Sequence, residues 1–113
     1  SVLPRFCLFL GSKYRKFMKN ILVTFEVDSR NLSYTTELVN QFSSTVREQH
    51  PGMTIFKSMT SAAKPNKFFL FLSFASDEDY DIYKKNDKTK KFTVKLHALS
   101  KELPVFTELN EVE

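Results

Sequence analysis

Strand-like and helix-like stretches follow one another as strand–helix–strand–strand–helix–(helix or strand)–strand. That order predicts an α+β fold of the ferredoxin-like, split βαβ kind, with an antiparallel sheet and helices on one face. Three observations carry it. In Pro65–Phe74, Phe68, Leu70, Leu72 and Phe74 alternate with Phe69, Phe71 and Ser73. Both faces of this ribbon are apolar, which predicts a central strand. The ribbon then meets Ser76 and Asp79, a capping box, and Asp77, Glu78 and Asp79 place negative charge where a helix dipole favours it. Tyr80 and Tyr83 follow three residues apart, on one face of that helix. Finally, an alternating stretch at Asn20–Asp28 leads into a segment with helical periodicity.

The elements justify themselves in order. Residues 1–17 read as an extension outside the domain, which spans 18–113. The extension is basic and acid-free, and its apolar run Phe6–Leu10 is far too short to cross a bilayer. It has the look of a targeting or membrane-surface segment, but its simpler readings are an expression remnant or a translated upstream region, Met18 being a natural start. In Asn20–Asp28, Ile21, Val23, Phe25 and Val27 share one face, with Leu22, Thr24 and Glu26 on the other. A polar turn follows, with Ser33 as the expected N-cap. Tyr34, Leu38, Phe42 and Val46 recur every fourth residue to about Gln49, and His50-Pro51-Gly52 stops the helix.

Met53–Met59 is the second strand, with Met53, Ile55 and, as a further candidate, Phe56 turned inward. Thr60–Asn66 is a loop that closes a hairpin onto the central strand. Lys84–Lys91, KKNDKTKK, reads as a solvated basic loop. Phe92–Leu99 fits two periods. Phe92, Val94 and Leu96 suit a strand, whereas Phe92, Leu96 and Leu99 suit a helix. Leu103–Val112 is the closing strand, entered through Pro104.

Composition narrows the function classes. The 113 residues suffice for one core. Twelve Phe and no Trp make that core aromatic, and one cysteine, Cys7, forms no internal disulfide. Two histidines, His50 and His97, give a zinc site little to build on, and no metal is expected. The net charge of +4 is uneven. Arg5, Lys13, Arg15, Lys16 and Lys19 supply +5 within residues 1–19, and the remainder sums to −1. A nearly neutral body argues against phosphate binding, so nucleic acid is not the expected partner. With helices on one face of the central strand, Phe69 and Phe71 need other cover. Each would gain about 1.5–3 kcal/mol on burial. A second copy packed sheet to sheet is the economical answer, which predicts a homodimer.

Three runs together resemble a known family: VREQHPGMTIF (Val46–Phe56), KPNKF (Lys64–Phe68) and FASDEDYDIY (Phe74–Tyr83). Their order and spacing, over about residues 20–112, are similar to the antibiotic biosynthesis monooxygenase domain. The resemblance implies a dimeric α+β barrel. It also implies cofactor-independent oxygenation of quinols, anthrones and similar phenols, with a small aromatic substrate and O2 as partners. A deprotonated phenol can itself pass an electron to oxygen, so the protein need only supply an apolar slot and a group that steadies the phenolate. Two positions depart from the family pattern: Phe74 stands for its usual Trp and Tyr83 for its common His. In the haem-degrading branch the iron ligand falls near Leu96 and a strand-one Asn near Glu26, so haem is not expected here.

The resemblance makes Tyr83 the residue that projects into the cavity, beside the plainer reading of a core tyrosine. His97 could serve as general base, beside the plainer reading of a surface histidine. Phe74, Phe71, Tyr80, Thr24 and Phe92 are the expected substrate wall, or else ordinary core. Two rivals remain open. One is a non-catalytic dimeric barrel holding a small apolar ligand, which needs the same aromatics. The other is an RNA recognition motif, whose basic and aromatic signature Lys67–Phe74 overlays; there Phe68 and Leu70 replace both signature glycines, and Leu103–Val112 has no role. The protein is taken as cytoplasmic.

Overall fold

Four alternating stretches become one antiparallel sheet in the computed structural model, which describes residues 18–112. They are β1 (Lys19–Glu26), β2 (Met53–Thr60), β3 (Lys67–Phe74) and β4 (Val105–Leu109), in the spatial order β2-β3-β1-β4. The expected extension 1–17, Cys7 included, lies outside the described residues. Three helices complete the chain: α1 (Leu32–Gln49), α2 (Asp77–Lys85) and α3 (Asp87–Leu99). This is the ferredoxin-like split βαβ arrangement, and β3 sits inside the sheet between β2 and β1 as its two apolar faces require.

Register assigns the faces, because directly paired residues point the same way. Ile21, Val23 and Phe25 oppose Leu72, Leu70 and Phe68, and all six are buried beneath the helices. The Phe25 and Phe68 rings stack at 5.1 Å. From above, α1 contributes Thr35, Val39, Phe42 and Val46, while α3 contributes Thr89, Phe92 and Leu96. The Phe42 and Phe92 rings stack at 3.9 Å and join the two helices.

Several local expectations are corrected. Tyr34 is 54% exposed, and Thr35 takes the inner position. Strict four-residue steps drift about 40° each on a helix of 3.6 residues per turn, so a run of four such positions cannot hold one face. Ser33 lies inside α1; a 3-10 turn at Ser29–Asn31, capped by Asp28, precedes it. Ile55 points to the sheet's other face. A bulge between Met53 and Ile55 shifts the register, so Met53 and Phe56 are the buried pair. The Arg47 guanidinium of α1 donates to the Phe56 carbonyl beside it.

The basic stretch 84–91 is no loop. Lys84 and Lys85 close α2, Asp87 opens α3, and Asn86 alone makes the break. Its backbone N–H donates to the Tyr83 carbonyl, and its side chain accepts from the Lys88 N–H at 2.9 Å. Cations at one helix end and an acid at the next start both suit the dipoles. The two-period segment 92–99 is helix, leaving Val94 67% exposed. Val27 extends β1 by a single bridge to Ser100, and the closing strand is the shorter Val105–Leu109. Among the described residues no helix is long and apolar enough to cross a membrane.

Among the described residues the sheet's other face carries no helix. Leu22, Phe69, Phe71, Ile55, Met59, Val105 and Leu109 share it by register. At its centre Ser73 is buried and donates to Asn20 Oδ1 at 2.6 Å.

Candidate functional site

The helix-covered face gathers a cluster around Tyr83. The capping box that starts α2 is formed: Ser76 Oγ accepts from the Asp79 N–H at 3.1 Å and donates to its carboxylate at 2.8 Å. The Pro51-Gly52 turn is tied to the same spot. The Ala75 N–H donates to the Gly52 carbonyl at 2.8 Å, and a Cβ at Gly52 would overlap the Asp79 carboxylate. A side chain here would displace the Asp79 carboxylate from the capping box. The tie brings His50, which ends α1, to the inner face of α2. Its N–H donates to the Val46 carbonyl and its own carbonyl accepts from Met53.

Tyr83 lies among rings. Phe74 is centred 5.1 Å away, His50 5.7 Å, and Phe42 and Tyr80 each 6.3 Å. Tyr80 rests on Phe74 at 5.1 Å, with the Lys84 ammonium 4.4 Å from its ring centre. Burial, reinforced by neighbouring Tyr80, pushes the Tyr83 phenol well above its ordinary range, so it stays a hydroxyl. Burial lowers the His50 pKa, so the ring is neutral near pH 7. His50 is 6% exposed and its Nε2 has no hydrogen-bond partner among the described residues. A donor that stays protonated and an imidazole free to accept thus share one aromatic enclosure.

The lowered His50 pKa has a consequence for stability. The unfolded chain takes up its proton near the ordinary value of 6.5, while the folded chain resists it to lower pH. Stability therefore holds above pH 6.5 and falls as pH drops through the depressed folded value. Urea unfolding between pH 8 and 5 should show this loss, and His50→Gln should flatten it. Equal slopes in the two proteins would show that His50 is not the group responsible.

The sequence-derived site residues divide between the two faces of the sheet. Tyr83, Tyr80 and Phe74 sit together on the covered face, and Phe92 joins them through Phe42. Phe71 and Thr24 lie on the opposite face, because Phe71 pairs with Leu22 and Thr24 with Phe69. A period-2 strand cannot aim adjacent residues at one site. Thr24 instead helps line a cavity of about 340 Å³ at the sheet's end, with Lys64, Lys67 and Lys101. His97 is exposed on α3, its Nδ1 2.9 Å from the Thr93 carbonyl of its own helix. The histidine beside Tyr83 is His50, which the sequence left as a helix end. A signal for it exists: Thr35, Val39, Phe42 and Val46 extend by one further four-residue step to His50.

No protein-family model matches this chain, and no curated protein matches it closely. Solved structures do. A protein from Caulobacter crescentus CB15, assigned as an antibiotic biosynthesis monooxygenase, superposes with a TM-score of 0.79 at 16% identity, over 93% of this chain and 99% of that one. This chain has the antibiotic biosynthesis monooxygenase fold. A second protein with that assignment, from Nitrosomonas europaea, gives a TM-score of 0.75 at 16% identity over 86% and 92% of the two chains. A protein assigned as a monooxygenase from Lactobacillus acidophilus NCFM gives 0.75 at 24% identity. That match covers 83% of this chain but only 44% of the Lactobacillus protein. In this fold the Tyr83 cluster lies between sheet and helices.

Proposed function

We propose that residues 18–113 form a domain of the antibiotic biosynthesis monooxygenase family and act as a cofactor-independent oxygenase of electron-rich phenols, such as quinols and anthrones. The observation that carries the proposal is the Tyr83 ring centred 5.7 Å from that of His50, whose Nε2 has no hydrogen-bond partner among the described residues, inside an aromatic enclosure. The monooxygenase assignments of the fold's neighbours support the reaction class. His50 accepts the substrate's phenolic proton, and Tyr83 donates to the resulting oxyanion. The phenolate then reduces O2. In an anthrone two C–H bonds of the ring methylene break, one oxygen atom becomes the new carbonyl, and the other leaves as water. Phe74, Phe42 and Phe92 supply the apolar wall that keeps water from the intermediate. Exposed His97 has no part in this scheme.

The proposal includes a cytoplasmic homodimer. Its support is the helix-free sheet face, where Met59 and Val105 are 48% and 57% exposed. The close ring packing about Tyr83 also suits a rival, a barrel of the same fold that is not catalytic.

An oxygen electrode and a panel of hydroquinones and anthrones separate the two. Wild-type protein should consume O2 with at least one substrate, and Tyr83→Phe should lower kcat about a hundredfold, as loss of one oxyanion donor does. If no substrate is consumed faster than in buffer, and Tyr83→Phe changes nothing, the oxygenase proposal gives way to the non-catalytic barrel.

A further inference from the structure

A groove of about 180 Å³ runs between α1 and α3; neither Tyr83 nor His50 lines it, although it shares Phe42 and Phe92 with the wall of the Tyr83 cluster. Its floor is Leu38 and the stacked Phe42–Phe92 pair, and its α3 rim is Lys88, Lys91 and Lys95. Those three lysines stand at i, i+3 and i+7, which puts them along one face of α3 at the edge of the groove. Among the described residues no carboxylate lines it, and the α1 rim offers the neutral Gln41 and Thr45. The cavity at the sheet's end differs in this respect, because Glu26 already holds Lys64 at 3.5 Å and Lys101 at 3.7 Å.

An aromatic floor beneath an uncompensated cationic rim selects for a flat ring bearing negative charge. Phenylalanine faces accept a ring by stacking, and three positive charges at one lip favour a carboxylate or phenolate. Size points the same way, since an apolar cavity of about 150 Å³ takes a benzene ring. We propose that this groove binds a small, one-ring aromatic anion, its ring on Phe42 and Phe92 and its charge among Lys88, Lys91 and Lys95. The site does not depend on the oxygenase reading, because binding here requires neither O2 nor Tyr83.

The test titrates 2,5-dihydroxybenzoate into the full chain under argon, followed by calorimetry and by ¹H–¹⁵N spectra. Binding should shift the amides of Phe42, Thr45, Phe92 and Lys95, and should weaken as salt is raised. The neutral amide of the same ring should bind about tenfold more weakly, as should the Lys91→Gln/Lys95→Gln variant, whose exposed substitutions leave the fold intact. No binding at millimolar ligand overturns the proposal. So do equal affinity for acid and amide, and shifts confined to Thr24 and Lys67 at the sheet's end. Because argon suppresses turnover, failure here leaves the oxygen-electrode result standing, and an inactive enzyme leaves this binding standing.

Discussion

Phe74→Ala is expected to lower the unfolding free energy by about 3–5 kcal/mol, the range for emptying a large buried aromatic site. Phe74 is fully buried at the end of β3, where it pairs with Met53. It also carries the rings of Tyr80 and Tyr83, each 5.1 Å away. Removing it opens a void that three elements line together, and helices capped at both ends cannot simply collapse into it. A domain of this size has only about 5–15 kcal/mol of net stability to lose. Phe74→Leu therefore accompanies it as a variant that stays folded and shows a smaller loss. Urea titration of the three proteins measures the effect. A loss below about 1 kcal/mol for alanine would mean that the Tyr83 cluster is not the packed unit described here.

Phe71→Lys should act on association and leave the fold intact. Phe71 lies on the helix-free face, opposite Leu22 on one side and Lys57 on the other. If a second copy covers this face, the substitution buries an unpaired ammonium at the centre of the interface. Such a centre-of-interface loss exceeds about 2 kcal/mol, so the dimer dissociation constant should rise roughly thirtyfold at the least. Sedimentation velocity on wild type and variant reads this directly. Wild-type protein that sediments as a single chain at all concentrations removes the dimer and the barrel with it. Phe69 and Phe71 would then be open to another occupant, and a titration with single-stranded RNA tests the nucleic-acid rival on the same face.

Much of the architecture was legible in the residues because its causes are local. Period-2 alternation placed Phe68, Leu70, Leu72 and Phe74 on one face of β3, and the register against β1 agrees. The Ser76–Asp79 capping box forms as expected, since a hydroxyl three residues from a backbone N–H needs no tertiary partner. In KPNKF the asparagine has a visible job: Asn66 Nδ2 donates to the Val27 carbonyl at 2.7 Å, and the Val27 N–H donates to the Asn66 carbonyl at 3.0 Å.

The errors have non-local causes. Charge density made Lys84–Lys91 look like a loop, but the burial of Thr89 and Phe92 against α1 stabilises a helix there. A bulge turned Ile55 outward, and nothing in MTIFKSMT announces a bulge. The family resemblance named Phe71 and Phe74 for one site, although the strand's period and the register put them on opposite faces.

The chain's own pattern thus determined which segments are strands, where the central ribbon lies and how α2 begins, because hydrophobic period and capping act within a few residues. Only the tertiary structure decided that His50 and not His97 stands beside Tyr83. The two rings meet where the turn after α1 is hydrogen-bonded to the start of α2 through the Gly52 carbonyl and the Ala75 N–H, a contact between residues far apart in sequence that no local period encodes.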